Sequence, residues 1–511
     1  MLKKWLPSLI GLSAFALLGR LLGFVREVLM ASKFGANEIT DAYLTTLLLF
    51  DIAIATNSSI LSGTLSYAAN IKNLKNISGS LSKVGLKSFA ALFVCALLFY
   101  PLADKLIPLI FTRSQSTAQI IIEASRLFLI LASFLVANGI FSALLQMKGD
   151  ITNPGRLIIF LNVSSIAFLI LFTKYFGIVS LPLGFLFGGV LFFVYQLYLI
   201  QRIQPVESDN SDTSKFNILG WGVVVLMVFG NSLLPSVSGL LERYFAYSFV
   251  EGTFSHYQYA AKIMLLPLTI FSFAISTSLL PIQTKSIAEG NEKEFLKATN
   301  NGILFSVVTS SFFVLLFSVL AEPIIQLIYQ RGHFTSNDTM ETSFALKVMS
   351  LGLIPFLLNP LIANIFYSLK AIKNIILINL IFIIIQAVIL FILSKTFSGI
   401  ETLTIAWAIF VWINNSALLY YLARVKGVRF DKEIMFKLFL IIMSTVVMIL
   451  IGRYFSNLLF DDLTILESSL VIFLKTFVIG IVLFLAFAFT TFFVFRDKLN
   501  GIRSYLKELR R

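Results

Sequence analysis

The chain has 511 residues, of which 58% are hydrophobic, and its mean hydropathy is +0.90. Only 13% of the residues are charged, against about 25% in a soluble globular protein, so the composition predicts a polytopic membrane protein. The net charge of +14 does not indicate nucleic-acid binding, because Lys and Arg gather in short connections beside apolar runs. One cysteine and two histidines argue against a thiolate or imidazole metal site, and we expect no cofactor and no metal.

Fourteen segments are apolar and long enough to cross a membrane, since a spanning helix needs about 20 mostly apolar residues. In chain order they are 7–32, 39–70, 84–112, 118–147, 155–174, 177–201, 217–249, 252–284, 300–329, 341–369, 372–395, 401–423, 433–455 and 468–495. The sequence therefore predicts an all-α polytopic membrane protein. We expect two six-helix lobes, 1–203 and 217–425, joined by a polar, flexible cytoplasmic linker at 204–216, and a last region, 426–511, with two extra helices and a basic cytoplasmic tail.

Lys and Arg are distributed unevenly between the two sides of the predicted membrane domain. The connections on one side, together with both termini, hold 26 of these residues, and the opposite connections hold 7. By the positive-inside rule, the richer side faces the cytoplasm. We therefore expect both termini in the cytoplasm and an even number of spans.

Several charged residues lie inside the apolar segments. Arg20, Arg26 and Asp41 belong to the first predicted hairpin, and Asp51 lies in the middle of its second helix. A charge at the centre of a membrane helix costs about 2.5–3.5 kcal/mol on insertion scales, so such charges face a bundle interior or a watery cavity. The cluster therefore indicates a polar cavity, and a polar cavity in a membrane protein indicates transport.

Each of these charges has a structural interpretation beside the functional one. Arg20 and Arg26 either bind a phosphate through forked hydrogen bonds, pair with a carboxylate such as Glu27, or snorkel to the interface. Asp41 either caps the start of its helix or forms an ion pair that gates the external side. For Asp51 we favour pairing with Arg20 or Arg26 over proton coupling.

The second half of the chain offers matching residues. Arg26 is followed nine residues later by Gly35, and Arg243 is followed nine residues later by Gly252, as in parallel transporter repeats. Lys262 lies well inside the predicted eighth span, which favours a cavity position.

Other polar residues of the second half are less specific. Glu242 and Arg243 form either an interfacial charge pair or a coupling site near the external end of the seventh span. His256 and His333 lie at predicted external turns, where ordinary surface histidines are expected.

Seven stretches of the chain form a recognisable set of motifs: Arg20–Glu27, Phe34–Ala36, Thr40–Tyr43, Tyr257–Pro267, Leu279–Asn291, Gln330–Asp338 and Phe366–Ser368. Together they resemble the MurJ/MviN family of lipid II flippases, within the multidrug/oligosaccharidyl-lipid/polysaccharide exporter superfamily. The resemblance covers about the first 425 residues in order, and the predicted helix count also fits.

The resemblance implies a transporter rather than an enzyme. Its substrate would be a polyprenyl-pyrophosphate-linked glycan, above all the peptidoglycan precursor lipid II, moved across the bacterial cytoplasmic (inner) membrane by alternating access. Arg20, Arg26 and Lys262 would form the cationic substrate cavity, and Lys262 stands where the family usually has Arg. The lipid tail would lie along a groove of the last two helices. We expect a monomer, in contact with membrane lipids and no nucleic acid.

Two departures from the family pattern bear on the substrate and on ion coupling. The stretch Phe50–Ser59 lacks the arginines and the glutamate that follow Asp41 in the family. Glu242 matches the first member of the family's sodium site, but Gln386, Leu390 and Ile409 stand at the other aligned positions, so the sequence predicts a degraded cation site.

Three alternatives stay open at the level of sequence. A flippase for another polyprenyl-linked glycan, such as O-antigen or exopolysaccharide, fits the same basic residues. A cation-coupled small-molecule exporter would favour acidic cavity residues, and a membrane glycan polymerase or ligase would favour a large catalytic external loop. The predicted cavity residues are mainly basic, which argues against the exporter. The longest external loop, at 456–467, contains Asp461 and Asp462 without a basic partner, which argues against the polymerase or ligase.

Overall fold

The computed structural model describes residues 2–69, 75–105, 114–202, 218–425, 427–428, 431–460 and 469–495. These residues form helices and short connections, and they contain no β-strand. The chain divides into two compact units, one of Met1–Ser255 with Arg331–Phe334, the other of His256–Gln330 with Thr335–Arg511. The described helices confirm the predicted all-α membrane fold.

The first unit contains seven long helices and the first residues of an eighth. They are α1 (Leu2–Phe34), α2 (Glu38–Ala69), α3 (Lys75–Phe99), α4 (Gln115–Met147), α5 (Asn153–Leu171), α6 (Ser180–Arg202) and α7 (Ile218–Tyr247). A helical turn at Thr173–Phe176 joins α5 to α6. Helix α2 packs against α4 and α7, and α5 packs against α1 and α6.

Small residues let the helices of the first unit approach closely. A Cβ at Gly188 of α6 would lie 2.6 Å from the Phe160 carbonyl oxygen of α5, and one at Gly184 would lie 2.6 Å from the Ser165 Cα. Glycines four residues apart are the usual device for close packing of membrane helices, where apolar surface alone gives little driving force. This packing fixes α5 beside α6, and α5 also contacts α1.

The second unit contains the rest of α8 and seven further helices. They are α8 (Thr253–Ala288), α9 (Glu292–Tyr329), α10 (Ser336–Ser350), α11 (Leu353–Ser368), α12 (Ile372–Ser394), α13 (Ile400–Arg424), α14 (Lys432–Phe460) and α15 (Ser469–Val494). The last two helices pack on α9 through a cluster that includes Leu315, Leu320, Ile441 and Leu483. Helix α9 kinks at Leu320, and α10 and α11 meet at a bend of 51°.

Each of the fourteen predicted segments overlaps a helix of the structure, but the count of fourteen spans is not confirmed. Among the described residues, ten helices are long and apolar enough to cross a membrane, or eleven if α10 and α11 form one broken span. The linker 204–216, the loop residues Asp461 and Asp462, and the tail from residue 496 lie outside the described residues. The predicted lobe boundaries therefore stay a prediction.

Candidate functional site

Arg26 of α1 lies buried in the first unit and is held by two polar side chains. It is 7% exposed. Its Nη1 donates to Asn162 Oδ1 of α5 at 2.8 Å, and its Nη2 lies 2.6 Å from Glu27 Oε1. The ion pair with Glu27 is the alternative that the sequence left open for this residue. A buried cation needs such partners, because desolvation of an unpaired charge is costly.

The surroundings of Arg26 fix its orientation. Asn162 donates through Nδ2 to the carbonyl oxygens of Gly19 and Ile158, each at 3.0 Å, which leaves its Oδ1 facing the guanidinium. The Arg26 Cζ lies 4.6 Å from the centroid of the buried Phe185 ring, within the range of a cation–π contact. Among the described residues, the buried Nε of Arg26 has no hydrogen-bond partner.

The two other predicted cavity cations differ from Arg26 in exposure. Arg20 lies on an exposed position of α1, six residues before Arg26. Lys262 lies half-buried on α8 and belongs to the second unit. Both have interactions of their own within the structure. That the three cations serve one substrate stays a prediction from the sequence.

Asp41 caps a helix other than its own. Asp41 is 3% exposed, and its carboxylate accepts hydrogen bonds from the Gly252 and Ser255 backbone N–H groups, each at 2.8 Å. The Ser255 hydroxyl donates to the same carboxylate at 2.6 Å. These groups belong to the start of α8, where free N–H groups and the helix dipole favour a negative charge. The contact ties α2 to the first turn of α8.

The start of α2 itself is capped by Asn37. Its Oδ1 accepts from the Ile39 and Thr40 backbone N–H groups at 3.0 and 3.1 Å. The prediction that Asp41 caps its own helix is therefore wrong, since a residue just outside the helix already satisfies those donors. Whether Asp41 gates the external side stays a prediction.

A segment from a distant part of the chain closes the same end of the first unit. The His333 N–H donates to the Ser32 carbonyl oxygen near the end of α1, at 2.9 Å. Gly35 and Gly332 adopt φ values of 71° and 62°, and a Cβ on either would meet a backbone oxygen of the other segment. Both positions therefore need glycine, for conformation and for space.

Asp51 pairs with a basic residue, in keeping with the preference for pairing over proton coupling, but its ion pair in the structure is with Arg243. The Asp51 Oδ2 lies 3.4 Å from Arg243 Nη2, and the side chains are 58% and 8% exposed. Arg243 also donates to the Gly239 carbonyl oxygen at 3.0 Å and stacks near the Phe254 ring. Glu242 is half-buried beside it.

His256 is not the surface histidine that the sequence predicts. It is 6% exposed, and its Nε2 lies 2.9 Å from Asp338 Oδ1 within the second unit. Asp338 in turn accepts from the Thr335 N–H at 2.7 Å in a capping box at the start of α10. His256 thus connects α8 to the start of α10.

Comparison with known proteins places these residues in a family. The family model described as lipid II flippase MurJ matches residues 30–474, which is most of the chain. The chain belongs to the lipid II flippase MurJ family. The matched range includes Asp41, Asp51 and Lys262, whereas Arg20 and Arg26 precede it.

Curated relatives and solved structures agree with the MurJ assignment. A "Probable lipid II flippase MurJ" of Buchnera aphidicola subsp. Acyrthosiphon pisum is 28% identical over 386 residues, covering 72% of this chain and 74% of the relative. One from Rickettsia prowazekii is 24% identical over 508 residues, covering 94% and 96%. The chain also shares the fold of a lipid II flippase MurJ in an inward closed conformation, with a TM-score of 0.77, 21% identity and coverage of 96% and 100%.

The fold extends to a wider group of transporters. An inward-facing multidrug resistance MATE family transporter of the MOP superfamily matches with a TM-score of 0.70 and 14% identity, over 82% of this chain and 98% of that one. The MurJ family and the many apolar helices indicate a multi-pass protein of the bacterial inner membrane.

The positions predicted for a degraded sodium site differ in burial. Gln386 is 1% exposed and Leu390 is fully buried on α12, whereas Ile409 of α13 is 38% exposed. Among the described residues, no group of three or more His, Cys, Asp or Glu side chains is arranged to hold a metal ion. Loss of ion coupling stays a prediction.

Asn162 and Phe185, which contact Arg26, were not predicted from the sequence. Asn162 stands in the apolar run Phe160–Val163, where a lone amide in a spanning helix is a signal for a polar partner. Phe185 gives no such signal, because it is one of 52 phenylalanines in the chain.

Proposed function

We propose that this chain flips lipid II, the lipid-linked precursor of peptidoglycan, across the bacterial cytoplasmic membrane by alternating access. Membership of the MurJ family supports the substrate. The observation that carries the proposal is the buried guanidinium of Arg26, oriented by Asn162 and Glu27 at 2.8 and 2.6 Å. An oriented guanidinium fork is suited to the oxygens of a pyrophosphate.

In this mechanism, Glu27 stands where a phosphate oxygen of the substrate would bind. The carboxylate keeps the buried cation neutralised while no substrate is present, and a phosphate oxygen then replaces it on Nη2. Asn162 stays on Nη1 and preserves the orientation during the exchange. Arg20 and Lys262 contribute further positive charge toward the pyrophosphate. No covalent bond is made or broken, so the chain acts as a transporter and not as an enzyme.

The contact of Asp41 with the start of α8 supports a role for it in closing the external side. Opening that side would require the bonds from Gly252 and Ser255 to Asp41 to break. A buried carboxylate that loses its donors is unstable unless water or new donors reach it. We therefore propose that Asp41 makes closure of the external side an all-or-none step. The lipid tail would remain in the bilayer, along α14 and α15.

The charge pattern supplies a further part of the proposal. The excess of Lys and Arg on one side supports cytoplasmic termini. Function as a monomer is also part of the proposal.

Complementation tests the proposed substrate. The chain is expressed in a bacterium whose own lipid II flippase can be depleted, and growth and cell shape are followed after depletion. We expect rescue by the wild-type chain and no rescue by Arg26→Ala at equal membrane abundance. Failure of the wild-type chain to rescue, despite normal abundance, would contradict the lipid II assignment.

A second candidate substrate is another polyprenyl-linked glycan, such as O-antigen or exopolysaccharide. It is favoured by the stretch Phe50–Ser59, which lacks the basic and acidic residues of the family motif. Complementation also distinguishes the two candidate substrates. Rescue of an O-antigen or exopolysaccharide flippase mutant, without rescue of lipid II flipping, would favour the second candidate.

A further inference from the structure

A group of charged residues outside the proposed transport site joins three helices of the second unit. Arg453 lies on α14, Lys347 on α10 and Glu322 on α9. The Lys347 Nζ lies 3.9 Å from Glu322 Oε2, and Arg453 Nε donates to the Ser318 carbonyl oxygen of α9 at 3.2 Å. The two cations are close enough for their charges to interact. We call Arg453, Lys347 and Glu322 the α9 kink cluster.

The carbonyl oxygen that Arg453 binds lies beside the kink in α9. Leu320 has non-helical φ and ψ values of −111° and 17°, three residues before Pro323. Proline has no N–H group, so the carbonyl oxygen four residues before it, that of Val319 next to Ser318, loses its helical donor. Gly452 lets α14 come close at this point, since a Cβ there would lie 3.0 Å from Val319 Cγ2.

Hydroxyl contacts hold Lys347 beside the same kink. The Ser318 Oγ of α9 lies 3.3 Å from the Ser350 Oγ at the end of α10. Ser350 also bonds to the Lys347 carbonyl oxygen at 2.7 Å. The backbone that carries Lys347 is therefore fixed against the segment whose carbonyl binds Arg453.

The cluster has an unused capacity for an anion. Two cations face one carboxylate, which leaves a net charge of about +1. Within the part of the chain that the structure describes, the two terminal nitrogens of Arg453 have no hydrogen-bond or carboxylate partner. The Lys347 side chain is 32% exposed, and Arg453 also lies on the surface.

The position of the cluster fits the headgroup level of a membrane. Helix α9 has 38 residues, about 57 Å, which exceeds the 40–45 Å of a bilayer with its headgroups. Glu322 and Arg453 each lie seven residues, about 10 Å, before the end of their helices. Next to Arg453, Tyr454 and Phe455 are 65% and 56% exposed, as expected of aromatic residues at a membrane interface.

We propose that the α9 kink cluster binds the phosphate of an anionic phospholipid. The free fork of Arg453 would bind two oxygens of the phosphodiester, and Lys347 would supply the second charge. Glu322 beside Lys347 disfavours a doubly charged diphosphate, so the occupant is a phospholipid rather than the lipid-linked substrate. The bound phosphate would hold α14 against α9 and α10, and so secure the last two helices.

Lipid retention by the purified full-length chain tests this proposal. The chain is reconstituted with phosphatidylcholine and rising amounts of phosphatidylglycerol, and bound phosphatidylglycerol is measured by native mass spectrometry. A cation that lies against a bound anionic headgroup contributes about fivefold to its affinity. We expect Lys347→Gln and Arg453→Gln each to weaken phosphatidylglycerol binding by about this factor. Lys347→Gln leaves the bond from Arg453 to Ser318 intact and is the safer variant for folding.

Lys395→Gln is the matched control, since Lys395 is an exposed cation at the end of α12 that packs over Phe391 instead. It should leave phosphatidylglycerol binding unchanged. Unchanged binding in both cluster variants, or an equal loss in the control, would overturn the proposal. Undecaprenyl diphosphate, added as competitor, should not displace phosphatidylglycerol, and displacement would contradict the phospholipid assignment. Flipping is not measured, so the result does not depend on the proposed function.

Discussion

Helix α2 carries two aspartates in different settings, ten residues apart. Asp41 is 3% exposed and accepts three hydrogen bonds from the first turn of α8, each at 2.8 Å or less. The Asp51 side chain is 58% exposed, and its Oδ2 lies 3.4 Å from Arg243 Nη2. The buried carboxylate has backbone and hydroxyl donors for its charge, whereas the exposed one lies beside a guanidinium. We infer that burial and donors, rather than position within a span, separate the charges that matter for transport.

Of the two aspartates of α2, Asp41 is the one whose replacement, Asp41→Ala, should have the larger effect. The change leaves the donors of Gly252 and Ser255 buried without an acceptor, and each hydrogen bond to a charged group contributes about 1.5–3 kcal/mol. We expect the initial rate of lipid II flipping in proteoliposomes to fall by about a hundredfold. Asp41→Asn keeps one acceptor oxygen, so its flipping rate should lie between those of the wild type and Asp41→Ala. Equal rates for Asp41→Ala and wild type would remove the distinction between the two carboxylates.

Arg26→Lys tests whether a buried cation, like the buried carboxylate of Asp41, depends on its hydrogen-bond partners. Arg26→Lys keeps the charge but loses the fork that reaches both Asn162 and Glu27. We expect a fall in flipping rate of about tenfold, because one charge-assisted hydrogen bond is lost. Circular dichroism and membrane abundance serve as controls for folding. Wild-type activity of Arg26→Lys would show that charge alone is needed.

Asn162→Ala tests the orientation of Arg26 without touching its charge. The variant removes the acceptor for Nη1 and should lower the flipping rate by about fivefold. Asn162→Asp keeps an acceptor and should restore part of the activity. A matched control is Asn300→Ala on α9, a buried amide of the second unit that accepts from the Asp431 N–H at 3.4 Å. If both alanine variants lose the same activity, Asn162 has only a structural role.

The smallest expected effect is that of Asp51→Asn. Asp51 is the exposed member of its pair with Arg243, and Asp51→Asn keeps an oxygen that can accept from the guanidinium, so the flipping rate should change by less than about threefold. We propose that Asp51 serves as an ion-pair partner and not as a proton carrier, so the pH dependence of flipping should also stay the same. Loss of transport together with loss of its pH dependence would favour proton coupling at this residue.

Much of the fold was predictable from the sequence because membrane helices follow from hydropathy alone. All fourteen predicted segments contain a helix, and several boundaries agree within a few residues, as for α6 and α12. The bend of 51° between α10 and α11 lies near Pro355, which interrupts the predicted tenth span, although hydropathy alone does not register a bend. The kink at Leu320 had a signal in Pro323 that the helix pattern obscured.

The candidate site was predicted less completely, for a physical reason. Charges inside apolar segments identified Arg26, Asp41 and Asp51, since each is costly in a membrane. Their partners were harder to assign, because Asn162 and Gly252 are distant in sequence and carry no charge. Asp51 was expected beside an arginine of α1, and the ion pair with Arg243 of α7 was not predicted. The sequence thus identifies which residues need partners, and only the packing of helices decides which partners they have.

The most direct test of the proposed function is lipid II flipping by the purified chain in proteoliposomes, followed with a fluorescent lipid II. The wild-type chain and Asp51→Asn should flip the lipid, whereas Arg26→Ala and Lys262→Ala should not. All four proteins must be present at equal amounts and with equal helix content. Wild-type rates for both Arg26→Ala and Lys262→Ala would contradict the assignment of a cationic substrate site.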